Sequence, residues 1–288
     1  MRKTAFALSF LLALLCGCAA PAPAEPESLP ERPPAAAEAD VLPELTPLEE
    51  LSTPAEVTEG RAQGDYELPQ KMFYNPVTED DFPALLVELP EADAAFYGLD
   101  WDKALIRWGD SLAEFDWTWL TPQQIFPRLC CFDLDHDWDD ELIVVCHPGT
   151  GTGVSVDELH VLEKNPDGTL TDYALPWEFF YKTLGESLSV KTVNGRTYSI
   201  LGAELVDITT ILPEGGDPES IERFRAGDIV HFSVTPEPQF NDEEIRFQGG
   251  AWLIGDEYFM PTVAYAAEIN AVVLYRDGAF ALSQIHLS

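Results

Sequence analysis

The sequence predicts a mainly β protein made of antiparallel hairpins and meanders, with one or two short helices. Short runs rich in β-branched and aromatic residues recur at roughly ten-residue spacing. Several of these runs are joined by turn sequences, of which Asn194-Gly195 is the strongest hairpin signal. Helical periodicity is scarce by comparison. A sandwich, a barrel and a partial propeller are all compatible with this pattern.

The individual strands follow from the turns that separate them. The predicted hairpins are Ala104 to Trp108 with Leu112 to Trp117, Glu158 to Glu163 with Thr169 to Ala174, Leu188 to Val193 with Thr197 to Leu201, and Ala271 to Tyr275 with Phe280 to Leu287. Further strands are expected at Ile229 to Val234, Ile245 to Phe247, Ala251 to Ile254 and Val263 to Tyr265.

Two segments have helical signals. Pro218 to Ala226 follows Asp217 as a potential N-cap and precedes Gly227, which is typical of a helix end. A single helical turn is also expected within Asp80 to Leu86.

The first 18 residues indicate secretion. Arg2 and Lys3 precede an apolar run from Ala5 to Leu15, which is the layout of a signal peptide. The run is too short for a membrane-spanning helix, which needs about 20 residues. Leu15-Cys16-Gly17-Cys18 resembles the lipobox of bacterial lipoproteins. This resemblance implies cleavage before Cys18, diacylation of its thiol and attachment to a membrane on the extracytoplasmic side. The alternative is an ordinary signal peptide cut near Ala20 or Ala24.

Residues 19–65 are predicted to form a disordered tether. This stretch is rich in Pro, Ala and Glu, and uniform negative charge favours an extended chain. At about 3 Å per residue, such a chain reaches up to about 100 Å. Aromatic residues begin at Tyr66, so a single β-rich globular domain is expected over residues 66–288.

The charge balance excludes one class of partner. Sixteen basic against 51 acidic residues give a net charge of −35, which repels nucleic acid and attracts cations or basic molecules. A solvated acidic surface without a specific partner is the interpretation that this composition favours.

After cleavage and lipidation, Cys130, Cys131 and Cys146 remain, and their odd number allows one disulfide or three buried thiols.

One acidic stretch has the spacing of a cation site. Carboxylates at Asp133, Asp135, Asp137 and Glu141 occupy positions 1, 3, 5 and 9 of a short loop between two apolar runs. Asp139, at position 7, offers a backbone carbonyl. Oxygen ligands in this number suit Ca²⁺, which takes six to eight of them at about 2.4 Å. The alternative is a solvated acidic turn that binds nothing.

This loop resembles those of FG-GAP/VCBS-type repeat proteins, whose pattern is D-x-D-G-D-G-x-x-[DE]-[LI]. Residues 96–163 are also similar to a group of uncharacterised bacterial lipoproteins with one such loop. The resemblance implies an extracellular calcium-binding β structure without catalytic activity. It would make Asp133, Asp135, Asp137 and Glu141 side-chain ligands and Asp139 a carbonyl ligand. His136 and Trp138 depart from the pattern, because glycine at these positions permits positive φ.

Other motifs point to no further chemistry. The five histidines form no H-E-x-x-H pair, and His160 and His231 alternate with apolar neighbours as strand residues do. No serine lies in a G-x-S-x-G elbow.

The leading hypothesis is therefore a non-enzymatic, surface-tethered lipoprotein that binds a protein or glycan partner. An extracellular glycan hydrolase is the alternative, because tryptophans cluster at Trp101, Trp108, Trp117, Trp119 and Trp138.

Overall fold

The computed structural model of the protein describes residues 42–62, 64, 67–74, 76–119, 124–151, 153–211, 221–235, 243–255 and 263–288. It is mainly β, with 59% of residues in strands and 8% in helices. The predicted fold class is therefore confirmed. The described strands form antiparallel sheets and no closed barrel, as expected of a sandwich or meander.

The strands alternate with short turns along most of the described chain. They are β1 (Glu50–Pro54), β2 (Glu56–Glu59), β3 (Arg61–Ala62), β4 (Ala84–Leu89), β5 (Ala94–Asp100), β6 (Lys103–Trp108), β7 (Ser111–Phe115), β8 (Arg128–Phe132), β9 (Glu141–Gly151), β10 (Val154–Lys164), β11 (Leu170–Ala174), β12 (Leu188–Val193), β13 (Arg196–Leu201), β14 (Glu204–Asp207), β15 (Ile221–Thr235), β16 (Glu244–Gly255), β17 (Val263–Arg276) and β18 (Ala279–Leu287).

These strands form three sheets. The largest has ten strands in the order β1-β18-β17-β16-β15-β10-β11-β2, and β9 and β8 join it beside β10. The second sheet has the order β3-β7-β6-β5-β4, and the third is β12-β13-β14. Among the paired strands described, only β10 and β15 run parallel. Every other pair is antiparallel, because the connections are mostly tight turns.

The predicted hairpins are confirmed, and their turns have the expected backbone. Asn194 and Gly195 have φ of 51° and 71°, and Asp277 and Gly278 also have φ of 51° and 71°. Positive φ at both central residues matches the right-handed twist of the flanking strands. The registers follow from these turns, with Val193 opposite Arg196 in the β12–β13 pair.

The large sheet is buried on both faces where β9 crosses it. Ile143 and Val145 point into one apolar cluster, while Leu142 and Val144 point into another. The first cluster lies against the helical segment near residue 180, and Phe180 stacks there on a strand aromatic. The second lies against the five-stranded sheet. Side chains alternate along a strand, so one strand supplies both cores.

Helical structure is confined to short segments in the described residues. These are 3₁₀ turns at Glu79–Asp81 and Pro90–Ala92, a π-helical segment at Phe180–Leu184 and α1 (Gly185–Ser187). No helix among the residues described is long and apolar enough to cross a membrane.

Both helix predictions need correction. The helical turn expected within Asp80 to Leu86 ends at Asp81, and β4 takes over from Ala84. The helix expected at Pro218 to Ala226 is wrong over its described part, because residues 221–226 belong to β15. These residues pair with β16 from Gly255 to Ala251, and sheet pairing outweighs local capping signals. Asp217 and the three residues after it lie outside the described part.

The expected start of the globular domain at residue 66 is too late. β1 pairs with β18, β2 with β11 and β3 with β7, so residues 50–62 are strands of two sheets. These strands are edge strands held by backbone hydrogen bonds, which need little apolar side-chain area. Leu51 is the one buried residue among them. The signal segment, with Cys18, and residues 19–41 lie outside the described residues.

Candidate functional site

The acidic loop connects β8 to β9 at the end of a hairpin. Asp133 directly follows β8, and Glu141 is the first residue of β9. The two strands pair in register up to Phe132 opposite Glu141, which brings the two ends of the loop together. The flanking apolar residues therefore place the first and last carboxylates of the loop side by side.

Backbone N–H groups of the loop point at its own carboxylates. Asp137 donates its N–H to Asp133 Oδ1 at 3.0 Å and to Asp135 Oδ1 at 3.2 Å. Trp138 donates to Asp133 Oδ2 at 3.2 Å, and Leu134 donates to Glu141 Oε2 at 2.7 Å. The side chains of Asp133, Asp135 and Glu141 are thereby held towards the interior of the loop.

Two bulky residues adopt the backbone conformation that the related loop pattern reserves for glycine. His136 has φ of 66° and Trp138 has φ of 81°. For side chains other than glycine, the left-handed region costs about 1–2 kcal/mol. The Trp138 side chain is 92% exposed, so its packing does not offset this cost. The loop thus keeps the shape of the pattern despite the two substitutions.

Three of the four predicted carboxylate ligands come together. One carboxylate oxygen each of Asp133, Asp135 and Glu141 lies within 4.8 Å of the other two. Asp137 lies outside this group, and its carboxylate accepts the N–H of Asp139 at 2.9 Å. Asp139 is exposed, and the role expected of its backbone carbonyl stays a prediction.

The grouped carboxylates disfavour each other's charge. Burial, together with the charges of Asp135 and Asp137, raises the pKa of Glu141 to about 7, although the N–H of Leu134 opposes the shift. Burial and the charge of Asp137 also raise the pKa of Asp135. A bound cation would remove this repulsion, because it favours the charged form of each carboxylate.

Comparisons with known proteins found no match. No family model, no curated protein and no solved structure matches this chain.

A cavity of about 630 Å³ is lined by strands of the large sheet and by β7 of the five-stranded sheet. At its wall, His160 Nδ1 lies 3.1 Å from Asp172 Oδ2, and Trp117 donates its Nε1–H to the same oxygen at 2.9 Å. The rings of Trp117 and His160 stack at 4.1 Å between centroids. The lining carboxylates belong to Glu56, Glu59, Glu114, Asp116, Glu158, Asp172 and Glu178.

The clustered tryptophans and the cysteines are placed mainly in the core. Trp108, Trp117 and Trp119 are buried, and Trp119 donates its Nε1–H to the carbonyl of Asp100 at 2.7 Å. Trp138, at the tip of the acidic loop, is the exposed member.

All three described cysteines are free thiols, and burial raises the pKa of Cys131 to about 11.

The sequence analysis missed a second convergence of ionisable groups, formed by His147, Asp157 and His231. These residues lie on three different strands and share no motif. The one local signal is Pro148, because a proline inside a strand marks an edge or a bulge.

Proposed function

We propose that the protein is a lipid-anchored, extracytoplasmic binding protein whose β domain holds one Ca²⁺ ion in the acidic loop. The convergence of the Asp133, Asp135 and Glu141 carboxylates within 4.8 Å carries the calcium part of this proposal. Oxygen-only donors in a short loop suit a hard cation, and the remaining positions are filled by backbone carbonyls and water.

The backbone of the loop supports the same conclusion. Strained left-handed residues persist where the surroundings over-determine them, and they concentrate at ligand sites. His136 and Trp138 are both strained in this sense, and both are exposed. Their conformation occurs in a loop where the carboxylates of Asp133, Asp135 and Glu141 converge.

The ion would have a structural role. It would fasten the start of β9 to the end of β8, and this hairpin supplies side chains to both apolar clusters. Extracellular sites of this kind bind with dissociation constants of about 10⁻⁴ to 10⁻³ M. Millimolar Ca²⁺ is about one to ten times such a dissociation constant, so binding would add about 0.4–1.4 kcal/mol to the free energy of unfolding.

Calorimetric titration with Ca²⁺, paired with thermal melts in EDTA and in millimolar Ca²⁺, tests this proposal. We expect saturable binding and a higher melting temperature, both lost in Asp135→Asn. Asp140→Asn is the matched control, because Asp140 is an exposed acid of the same loop outside the carboxylate group. Equal losses in the two variants would attribute the effect to general charge and contradict a defined site.

The anchor rests on the Leu15-Cys16-Gly17-Cys18 sequence and is tested separately. Cells expressing the protein are fed a labelled fatty acid, and the purified protein is examined for label. We expect label in the native chain and in Cys16→Ala, and none in Cys18→Ala. Label that survives in Cys18→Ala would exclude lipidation at this cysteine.

A second candidate function is glycan cleavage, supported by the cavity that Trp117 and Trp177 line together with seven carboxylates. Burial raises the pKa of Glu158, as a general acid requires, although His160 opposes the shift. Release of reducing ends from bacterial cell-wall glycan and from xylan would test it. Activity lost in Glu158→Gln would favour this candidate, and no activity on either polymer would count against it.

A further inference from the structure

His147, Asp157 and His231 are brought together by an irregularity in the large sheet. In the β9–β10 pair, Cys146 lies opposite Glu158 and Gly149 opposite Val156. Two residues of β9, His147 and Pro148, therefore face the single residue Asp157. Such a β-bulge redirects a side chain and is favoured here by proline, which has no N–H to donate.

The third member comes from the one parallel strand pair. β15 lies beside β10 with Ser155 opposite Ile229 and Val156 opposite Val230. Continuing this register by one or two residues brings His231 next to Asp157. Residues from β9, β10 and β15 thus meet at the edge of a cavity of about 410 Å³.

The three side chains lie close together, and His147 is hydrogen-bonded directly to Asp157. His147 Nδ1 lies 2.6 Å from Asp157 Oδ1, and His231 Nδ1 lies 3.7 Å from Asp157 Oδ2. One ligand atom of each residue lies within 4.8 Å of the other two. The two imidazole rings are nearly parallel, with an angle of 7° and centroids 6.2 Å apart. The side chains of His147 and Asp157 are 6% and 4% exposed, while that of His231 is 36% exposed.

One ring nitrogen of the cluster has no partner. His147 Nε2 is buried and accepts or donates no hydrogen bond within the described residues. Buried polar atoms are nearly always hydrogen-bonded, and this nitrogen lacks such a partner, while the other ring nitrogen, Nδ1, faces Asp157.

Two hydrogen-bond donors outside the histidine pair hold the carboxylate of Asp157 in place. Phe232 donates its N–H to Asp157 Oδ2 at 3.0 Å, and Arg128 Nη2 donates to the same oxygen at 2.7 Å. Metal-binding carboxylates usually have such outer partners, which orient them and tune their basicity. The Arg128 side chain is 51% exposed, so it lies at the rim, while Oδ1 of Asp157 faces His147.

We propose that His147, Asp157 and His231 form a binding site for a borderline divalent cation of the Zn²⁺ class. Two imidazole nitrogens and one carboxylate oxygen are the three-ligand donor set of open zinc sites, in which water takes the fourth position. The cavity beside them, lined also by Ser155 and Gln248, leaves room for that water. This site is separate from the acidic loop, whose oxygen-only donors favour Ca²⁺.

The test is titration of the full chain with Zn²⁺ in about 10 mM Ca²⁺, which is at least about ten times the dissociation constant expected for the acidic loop and keeps that loop mostly occupied. Calorimetry should show one saturable Zn²⁺ site. Co²⁺ in place of Zn²⁺ should give the intense visible absorption of a four-coordinate centre with nitrogen ligands. His231→Ala, which removes a partly exposed side chain, should weaken Zn²⁺ binding about 100-fold or more, since even outer-partner losses cost 10- to 100-fold.

His286→Ala is the matched control, because this exposed histidine lies elsewhere, 3.9 Å from Glu204. It should bind Zn²⁺ as the native chain does. Circular dichroism of both variants verifies that the fold is kept. Unchanged Zn²⁺ affinity in His231→Ala, complete displacement of Zn²⁺ by Ca²⁺, or no binding by the native chain would each overturn the proposal.

Discussion

Replacement of Trp138 by glycine should stabilise the protein in the absence of a divalent cation. Trp138 has φ of 81°, and its side chain is 92% exposed. Glycine removes the clash between Cβ and the backbone that makes this conformation costly. Almost no packing is lost with the indole, because so little of it is buried.

The size of the effect follows from two opposing contributions. Relief of the left-handed conformation is worth about 1–2 kcal/mol. Glycine loses about 0.5–1 kcal/mol more than other residues in backbone entropy on folding. The free energy of unfolding should therefore rise by about 0.5–1 kcal/mol. For a urea slope of about 2–3 kcal/mol per molar, the midpoint would move up by about 0.2–0.5 M.

Urea unfolding in EDTA, followed by far-ultraviolet circular dichroism, measures this change. Fluorescence is unsuitable, because the substitution removes a tryptophan. Trp138→Ala is the control, since alanine loses the same exposed indole but keeps the Cβ atom that causes the strain. If Trp138→Ala stabilised the protein as much as Trp138→Gly, the gain would not come from the backbone, and the reasoning would be refuted.

Two further predictions concern the core. A Cβ atom at Gly98 would lie 2.4 Å from Cζ2 of the buried Trp119, so Gly98→Ala should lower the free energy of unfolding by about 1–3 kcal/mol. Gly151→Ala, with no atom within 4 Å of the added Cβ, should be nearly neutral in the same urea assay. Burial lowers the pKa of His160, but the adjacent Asp172 carboxylate outweighs burial and raises it above 6.5. This contribution to stability is complete below about pH 6.5 and disappears as the pH rises through the folded-state pKa. Urea midpoints should therefore fall with rising pH less steeply in His160→Gln, and identical slopes in both proteins would contradict this.

Hairpins were predictable because their signals are local. Asn194-Gly195 and Asp277-Gly278 need positive φ at both turn residues, and few sequences meet this requirement. The flanking strands then follow from alternation of apolar residues. The same argument located the acidic loop, since its carboxylates are spaced within a single turn between two apolar strands.

The remaining features depend on pairing between strands that are distant in the sequence, so local patterns did not predict them. Residues 50–62 have the composition of a linker, yet their backbone completes the edges of sheets formed far along the chain. The segment before Gly227 has the capping residues of a helix, but residues 221–226 instead form backbone hydrogen bonds with β16. His147, Asp157 and His231 depend on a bulge and on a parallel strand pair, and neither is encoded by spacing in the sequence.

The pairing of β1 with β18 would have a mechanical consequence if the protein is tethered through its N-terminal side, as proposed. Tension that travels along the chain towards β1 would first meet Leu48, which packs against the core, and then the five residue pairs that join β1 to β18. Those backbone hydrogen bonds link residues 50–54 to residues 279–283, which lie more than 200 positions further along the chain. A pull on this side of the domain would therefore be resisted by a strand that is distant in sequence.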